Sequence, residues 1–196
     1  MRIPQIRKIS LLFVLVLFLC SILTACGPEL KETKVEGFGS NITMKLPGEL
    51  KKDSMQVPID PTMKQFMKGQ QLYQVEDNSL SVLIYTIGID TQGYAGISGK
   101  DLAVSMQGPV NTFTKSFLSS MKAKNAKIDK KTITVSGKEG IENTITFEAE
   151  DKKMALQVIA FQDDDAYWII LPIYQSDDKD AVKAADEMVK SIKINK

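Results

Sequence analysis

The sequence predicts an α+β domain in which one antiparallel β-sheet is sandwiched between helices, preceded by a signal peptide and a short tether. Three observations predict it. Short runs with apolar residues at every second position are separated by turn residues. Two stretches, near 98–123 and 177–192, switch to helical spacing. The first 26 residues have a composition found nowhere else in the chain.

Those first residues set the chain's destination. Arg2, Arg7 and Lys8 form a basic start, no acid occurs before Glu29, and residues 11–19 (LLFVLVLFL) are uniformly apolar. A basic start, an apolar run of roughly 7–15 residues and small residues at its exit make a secretory signal. A permanent anchor needs ~20 apolar residues. This run is shorter and ends in Thr24-Ala25-Cys26-Gly27-Pro28, where Gly and Pro break a helix. Leu23-Thr24-Ala25-Cys26 resembles the bacterial lipobox. The resemblance implies a diacylglyceryl group on the Cys26 thiol and cleavage between Ala25 and Cys26. Two acyl chains hold a protein stably at a membrane where one does not. Residues 1–25 are then the signal peptide, and the mature chain is expected on the outer, extracytoplasmic face of the cell membrane.

Residues 26–37 are polar, carry Pro28 and read as the lipidated cysteine and a flexible tether, able to lift the domain about 35 Å. Residues 38–196 read as a single domain, large enough to bury a core without a metal or disulfide. Within it, 38–46 alternates at Ile42, Met44 and Leu46 before Pro47-Gly48, which marks a strand and its stop. Residues 49–69, with Pro58 and Pro61, are irregular. Residues 71–76 and 80–87 flank Asp77-Asn78-Ser79 and read as a hairpin. A helical stretch follows from about 98 to 123, kinked at Gly108-Pro109, with Val110, Phe113, Phe117 and Met121 on one face. Four strands come next, at 131–136, 140–150, 153–162 and 166–174, the last two apolar on both faces as central strands are. Ser176 or Asp177 caps a closing helix striped by Ala181, Ala185, Met188 and Ile192, and residues 192–194 read as a short edge strand.

The opening Asn41-Ile42-Thr43-Met44-Lys45-Leu46-Pro47, the run at 157–172 (QVIAFQDDDAYWIILP) and the terminal helix ending at 188–194 (MVKSIKI) together resemble the PsbP/DcrB-like (Mog1/PsbP) superfamily. The likeness spans residues 38–194 in element order. It implies that superfamily's α/β/α fold and a protein that binds partners, with residues 49–69 unmatched by the pattern.

What is missing from the chain limits its chemistry. The chain holds 25 basic and 24 acidic residues; Arg2, Arg7 and Lys8 leave with the signal, so the mature net charge is about −2. Histidine is absent, every base after Lys8 is lysine, and no cysteine follows Cys26. Without His or Cys, the usual zinc, copper and haem ligands are missing, and no Ser-His-Asp or Cys-His nucleophile can be assembled. Missing arginine removes the bidentate fork for phosphate, and a near-neutral lysine surface is a poor footprint for nucleic acid. No cofactor is expected beyond the lipid on Cys26.

Five features remain as candidate sites. Asp163-Asp164-Asp165 is the densest acidic cluster, but three consecutive aspartates point different ways and lack a calcium-loop pattern, so it reads as a solvated turn. Glu142, Glu148 and Glu150 share one strand's alternation. Two of the three would supply a carboxylate pair for acid–base work, or all three are surface partners of Lys130, Lys131, Lys152 and Lys153. Tyr167, Trp168 and Tyr174 offer an aromatic binding surface, although aromatics at strand spacing are more often core. Gly93 to Gly99 resembles a phosphate cradle only superficially and reads as a flexible connection. Asn41-Ile42-Thr43 matches a glycosylation acceptor by chance. The expectation is a membrane-anchored, non-catalytic binding module of the cell envelope that contacts an envelope protein or ligand, with 49–69 and 88–99 as contact loops. The alternatives are a solute-binding or transport-accessory lipoprotein, or an envelope hydrolase using Glu142 with Glu148.

Overall fold

The computed structural model describes residues 27–54, 64–98, 110–111 and 114–195. Its elements in order are β1 (Lys31–Glu36), β2 (Asn41–Leu46), β3 (Lys51–Asp53), β4 (Met67–Val75), β5 (Leu80–Ile89), α1 (Thr91–Ser98), β6 (Lys124–Val135), β7 (Lys138–Ala149), β8 (Lys152–Asp163), β9 (Ala166–Gln175), α2 (Lys179–Lys190) and β10 (Lys193–Asn195). Residues 114–120 are also helical. The fold is α+β, as expected.

Seven strands form one antiparallel sheet in the order β3-β4-β5-β9-β8-β7-β6, and β1, β2 and β10 form a second sheet with β2 central. Tight turns set the register of the large sheet. Ser136 and Gly137 carry positive φ (48° and 84°) between β6 and β7, as do Glu150 and Asp151 (48° and 62°) between β7 and β8. Positive φ at both positions of a two-residue loop matches the twist of the strands it joins. Glycine supplies that backbone freely at 137, whereas Glu150 and Asp151 adopt it against the preference of L side chains.

β8 and β9 lie centrally in the sheet, which is why residues 154–161 are buried without interruption. Alternation then sorts their side chains into two cores. Ile159, Phe161, Trp168 and Ile170 face a layer made of α2 and the small sheet, where Ile42, Met44, Leu46, Ala185 and Met188 meet them. Leu156, Val158, Tyr167 and Leu171 face the other side, packing with Tyr94, Val110, Phe117 and Phe147. The large sheet is therefore sandwiched between helices, with α1 and the helical residues 110–111 and 114–120 on one face and α2 on the other, where three strands share the layer.

Three local expectations change. The tether read at 26–37 is a strand over half of its length: β1 pairs with β2 residue by residue from Lys31↔Leu46 to Glu36↔Asn41. Val35 is its one fully buried side chain. A polar run with a single anchor looks like a linker in sequence, yet it makes a good edge strand once a partner completes its ladder. Residues 93–98 of the flexible connection read at 93–99 lie instead in helix α1, whose start is capped by Asp90 Oδ1 accepting the Gly93 N–H at 3.0 Å. Buried Tyr94, edge-on to Phe66 at 5.5 Å, holds that helix to the sheet despite its glycines. Within 49–69, residues 51–53 and 67–69 belong to strands. Residues 55–63, the Gly108-Pro109 kink and Phe113 lie outside the described residues.

α2 is the best-determined helix in sequence terms. Asp178 Oδ1 accepts the N–H groups of Asp180 and Ala181 at 3.0 Å each, and Ala181, Ala184, Ala185 and Met188 form its buried stripe. At its other end Ser191 Oγ donates to Met188 O at 2.6 Å and accepts the Lys45 N–H at 2.8 Å, fastening the helix to β2.

Candidate functional site

Cys26 and the preceding Leu23, Thr24 and Ala25 lie outside the described residues, so the fold bears on them only through Gly27 and the strand after it. Gly27 already sits on the domain: a Cβ placed there would be 2.8 Å from Cβ of Asp180, at the first turn of α2. β1 begins four residues later, at Lys31.

The aromatic residues do not form a binding surface. Tyr167, Trp168 and Tyr174 are 2%, 0% and 5% exposed, and Tyr167 faces the opposite core from the other two. Period-two alternation explains the split, since 167 and 168 are neighbours on one strand. Trp168 stacks with Phe161 at 6.5 Å and lies within 3.5 Å of Ser40 Oγ through its indole nitrogen. The Tyr174 hydroxyl is pushed up to about 12 by burial, with Asp186 and Glu142 adding to the shift. These three are core.

The acidic residues are drawn apart and individually paired. Glu142, 6% exposed, lies 2.9 Å from Lys131 Nζ, its cross-strand partner in the β6–β7 register. That contact holds the Lys131 ammonium above its usual range. Glu148 lies six residues along β7, about 20 Å at strand rise, and accepts from Asn125 Nδ2 at 2.8 Å. A glycosidase-type pair needs about 5–9.5 Å, so Glu142 and Glu148 do not converge. The three aspartates also part company. Asp163 ends β8 wholly buried, 2.9 Å from Lys138 Nζ, while Asp164 is exposed in the turn with positive φ (47°). Asp165 bonds Lys68 Nζ and accepts the Thr91 hydroxyl at 2.9 Å. The solvated-turn reading therefore holds for Asp164 and fails for Asp163, which alternation turns inward. Among the described residues, no three acidic or sulfur side chains are grouped to hold a metal ion.

A concave feature appears instead at the end of the sheet near Gly27. The β4–β5 turn and the β7–β8 turn flank a small open cleft floored by Met121, Met154 and Ile173 and rimmed by Ser79, Glu150 and Lys152. Asp77 shapes one wall, accepting the Ser79 N–H and hydroxyl at 3.1 and 3.0 Å. The strained Glu150-Asp151 turn forms the other. Sequence alternation indicated the apolar floor only as core; that two turns leave it open depends on the strand pairing.

The remaining exposed feature is β6. Its residues 124–132 are all exposed, Ile128 is 50% exposed, and its outer edge pairs with no strand among the described residues.

No family model matches the sequence, and no curated protein matches it. Solved structures do. The chain is similar to the solution structure of cyanobacterial PsbP (CyanoP) from Synechocystis sp. PCC 6803, with a TM-score of 0.51 and 11% identity, over 89% of this chain and 98% of that one. A mutant form of the protein Mog1 gives a TM-score of 0.45 and 14% identity, covering 83% of this chain and 95% of that one. LpqN of Mycobacterium tuberculosis, described as involved in cell envelope biogenesis, gives 0.43 and 14% identity over 86% of this chain and 92% of that one. The likeness to CyanoP shows a PsbP-like fold, in agreement with the resemblance read from the sequence.

Proposed function

We propose that this chain is a lipid-anchored, extracytoplasmic binding module of the cell envelope that acts by holding a partner and not by catalysis. The observation that carries this reading is the placement of Cys26. A lipobox-like Leu23-Thr24-Ala25-Cys26 follows an apolar run, and the folded domain starts immediately after it, with Gly27 packed on Asp180. With residues 31–36 in a strand, only residues 27–30 lie between the anchor and the sheet, about 13 Å at full extension. On this reading the domain rides against the headgroups with the cleft end of the sheet toward the bilayer. Among the described residues no helix is long and apolar enough to cross a membrane. The buried carboxylates support a binding role: Glu142 and Asp163 are each committed to a lysine, which suits scaffolding better than proton transfer.

The test is metabolic labelling of cells with a fatty-acid probe, comparing the native chain with Cys26→Ser. Labelling that disappears in Cys26→Ser, together with release of that variant from the membrane fraction, is expected. Recovery of the native protein in the culture fluid with an unmodified first cysteine overturns the location. Crosslinking in intact envelopes should then return one recurrent protein partner.

A further inference from the structure

We propose that β6 is a strand-capture edge that takes an acidic, extended segment of a partner protein as an eighth strand. The inference deepens the binding-module reading and rests on it, but it does not depend on the lipid anchor.

The two edges of the large sheet differ sharply. One ends in β3, three residues long; the other is β6, twelve residues long. A long open edge presents a row of unpaired N–H and C=O groups, the template that extended peptides use. Near its start β6 is irregular, with Asn125 at φ 53° and the register shifting between Lys124 and Lys127. From Lys127 to Val135 it pairs with β7 residue by residue, leaving nine regular residues for a partner.

Charge decides which partner. β6 holds Lys124, Lys127, Lys130 and Lys131 against Asp129, a net of +3 on a chain whose mature charge is about −2. Edge lysines ordinarily discourage pairing. Here they do so selectively. Two copies of β6 side by side would confront +3 with +3, whereas an acidic strand meets opposite charge on both faces. Lys127 and Lys130 are exposed and, by alternation, project to opposite faces of the edge. Lys131 is held by Glu142 and steadies the strand from behind. Half-exposed Ile128, beside buried Ile145 of β7, offers the apolar contact that a partner's alternate side chain would cover. An anionic lipid surface would also meet these lysines, but it has no use for a straight run of backbone donors and acceptors.

The test uses the full-length protein in neutral detergent and three blocked ten-residue probes. One alternates valine and glutamate, one alternates valine and lysine, and one carries the same glutamates with prolines that forbid a strand. Amide hydrogen exchange across residues 127–135 should slow with the valine–glutamate peptide and with neither control. The double variant Lys127→Glu/Lys130→Glu should weaken that peptide at least tenfold with an unchanged melting curve. Lys127→Gln/Lys130→Gln should give a smaller loss. Equal binding of the proline-bearing peptide overturns the proposal, because charge alone then suffices. Protection around the cleft at residues 78–81 in place of β6 overturns it too, while leaving a binding module intact. So does protection of β6 by anionic-lipid nanodiscs but by no peptide.

Discussion

Lys138 Nζ lies 2.9 Å from Oδ1 of Asp163, a carboxylate with none of its surface exposed. The two residues open β7 and close β8, so the pair clasps one corner of the sheet where the β6–β7 and β8–β9 turns meet. Lys138 also reaches exposed Asp164 at 3.5 Å, and bonding to Asp163 holds its ammonium above the usual lysine range. Taking away the cation leaves a buried charge without compensation, which is far worse than never having had the pair. Lys138→Met is therefore expected to lower Tm by about 5 °C or more. The double variant Lys138→Met/Asp163→Leu should recover most of the loss, read by thermal denaturation at neutral pH. A Lys138→Met protein as stable as its parent would show that the ion pair contributes little.

Two glycines should respond to alanine with opposite signs. At Gly37 a Cβ would fall 2.3 and 2.6 Å from Cζ2 and Cη2 of the fully buried Trp168, and 2.8 Å from Ser40 O. Neither the indole nor the backbone can step aside, so Gly37→Ala should destabilise by about 1–3 kcal/mol. Gly96 lies within α1, and among the described residues nothing beyond its own helix backbone and chain neighbours comes within 4 Å of the added carbon. There the smaller backbone entropy of alanine dominates, and Gly96→Ala should stabilise by roughly 0.5–1 kcal/mol. Urea unfolding of the two variants beside the parent measures both.

Capping should be visible in α2. Asp178 satisfies two N–H groups at the start of a helix that carries one wall of the core around Met188. Asp178→Ala is expected to cost about 0.5–2 kcal/mol, and Asp178→Asn or Asp178→Ser much less, by chemical denaturation. Equal losses for alanine and asparagine would place the effect in the charge and not in the cap.

The strands β7, β8 and β9 and helix α2 were legible because each carries its period in bulky side chains: Ile145 and Phe147, Leu156 and Ile159, Ala181 and Ala185. β1 and α1 were not. Their defining interactions, Lys31↔Leu46 pairing and Asp90 over Gly93, join residues whose identities say loop or linker. The same limit applied to sites. Three aspartates in a row look equivalent until the strand end is known, and then Asp163 turns inward while Asp164 stays out. Tyr167 and Trp168 look like a patch until alternation separates them. Residues 124–130, Ile128 among them, fell in no element read from the sequence, and whether β6 is an edge depends on what it pairs with, a non-local fact.

Asp165 gives the pH test. Its hydrogen bond with Lys68 is the largest influence on its carboxyl, which the Thr91 hydroxyl also favours in the charged form, so its pKa lies below the usual aspartate value. A pKa lowered by folding means that the charged form stabilises the native state. The contribution is complete above the unfolded value, near pH 4, and fades as pH falls through the lower folded value. The Lys68 and Asp165 side chains are 49% and 41% exposed, so the pair is worth at most about 1 kcal/mol and is screened by salt. Asp165→Asn should therefore melt slightly below the parent at pH 7 in low salt. The gap should narrow below about pH 4 and shrink in about 0.5 M salt at neutral pH. A gap that survives both acid and salt would mean that Asp165 matters through its hydrogen bond to Thr91 and not through its charge, since amide oxygen can replace that bond only in part.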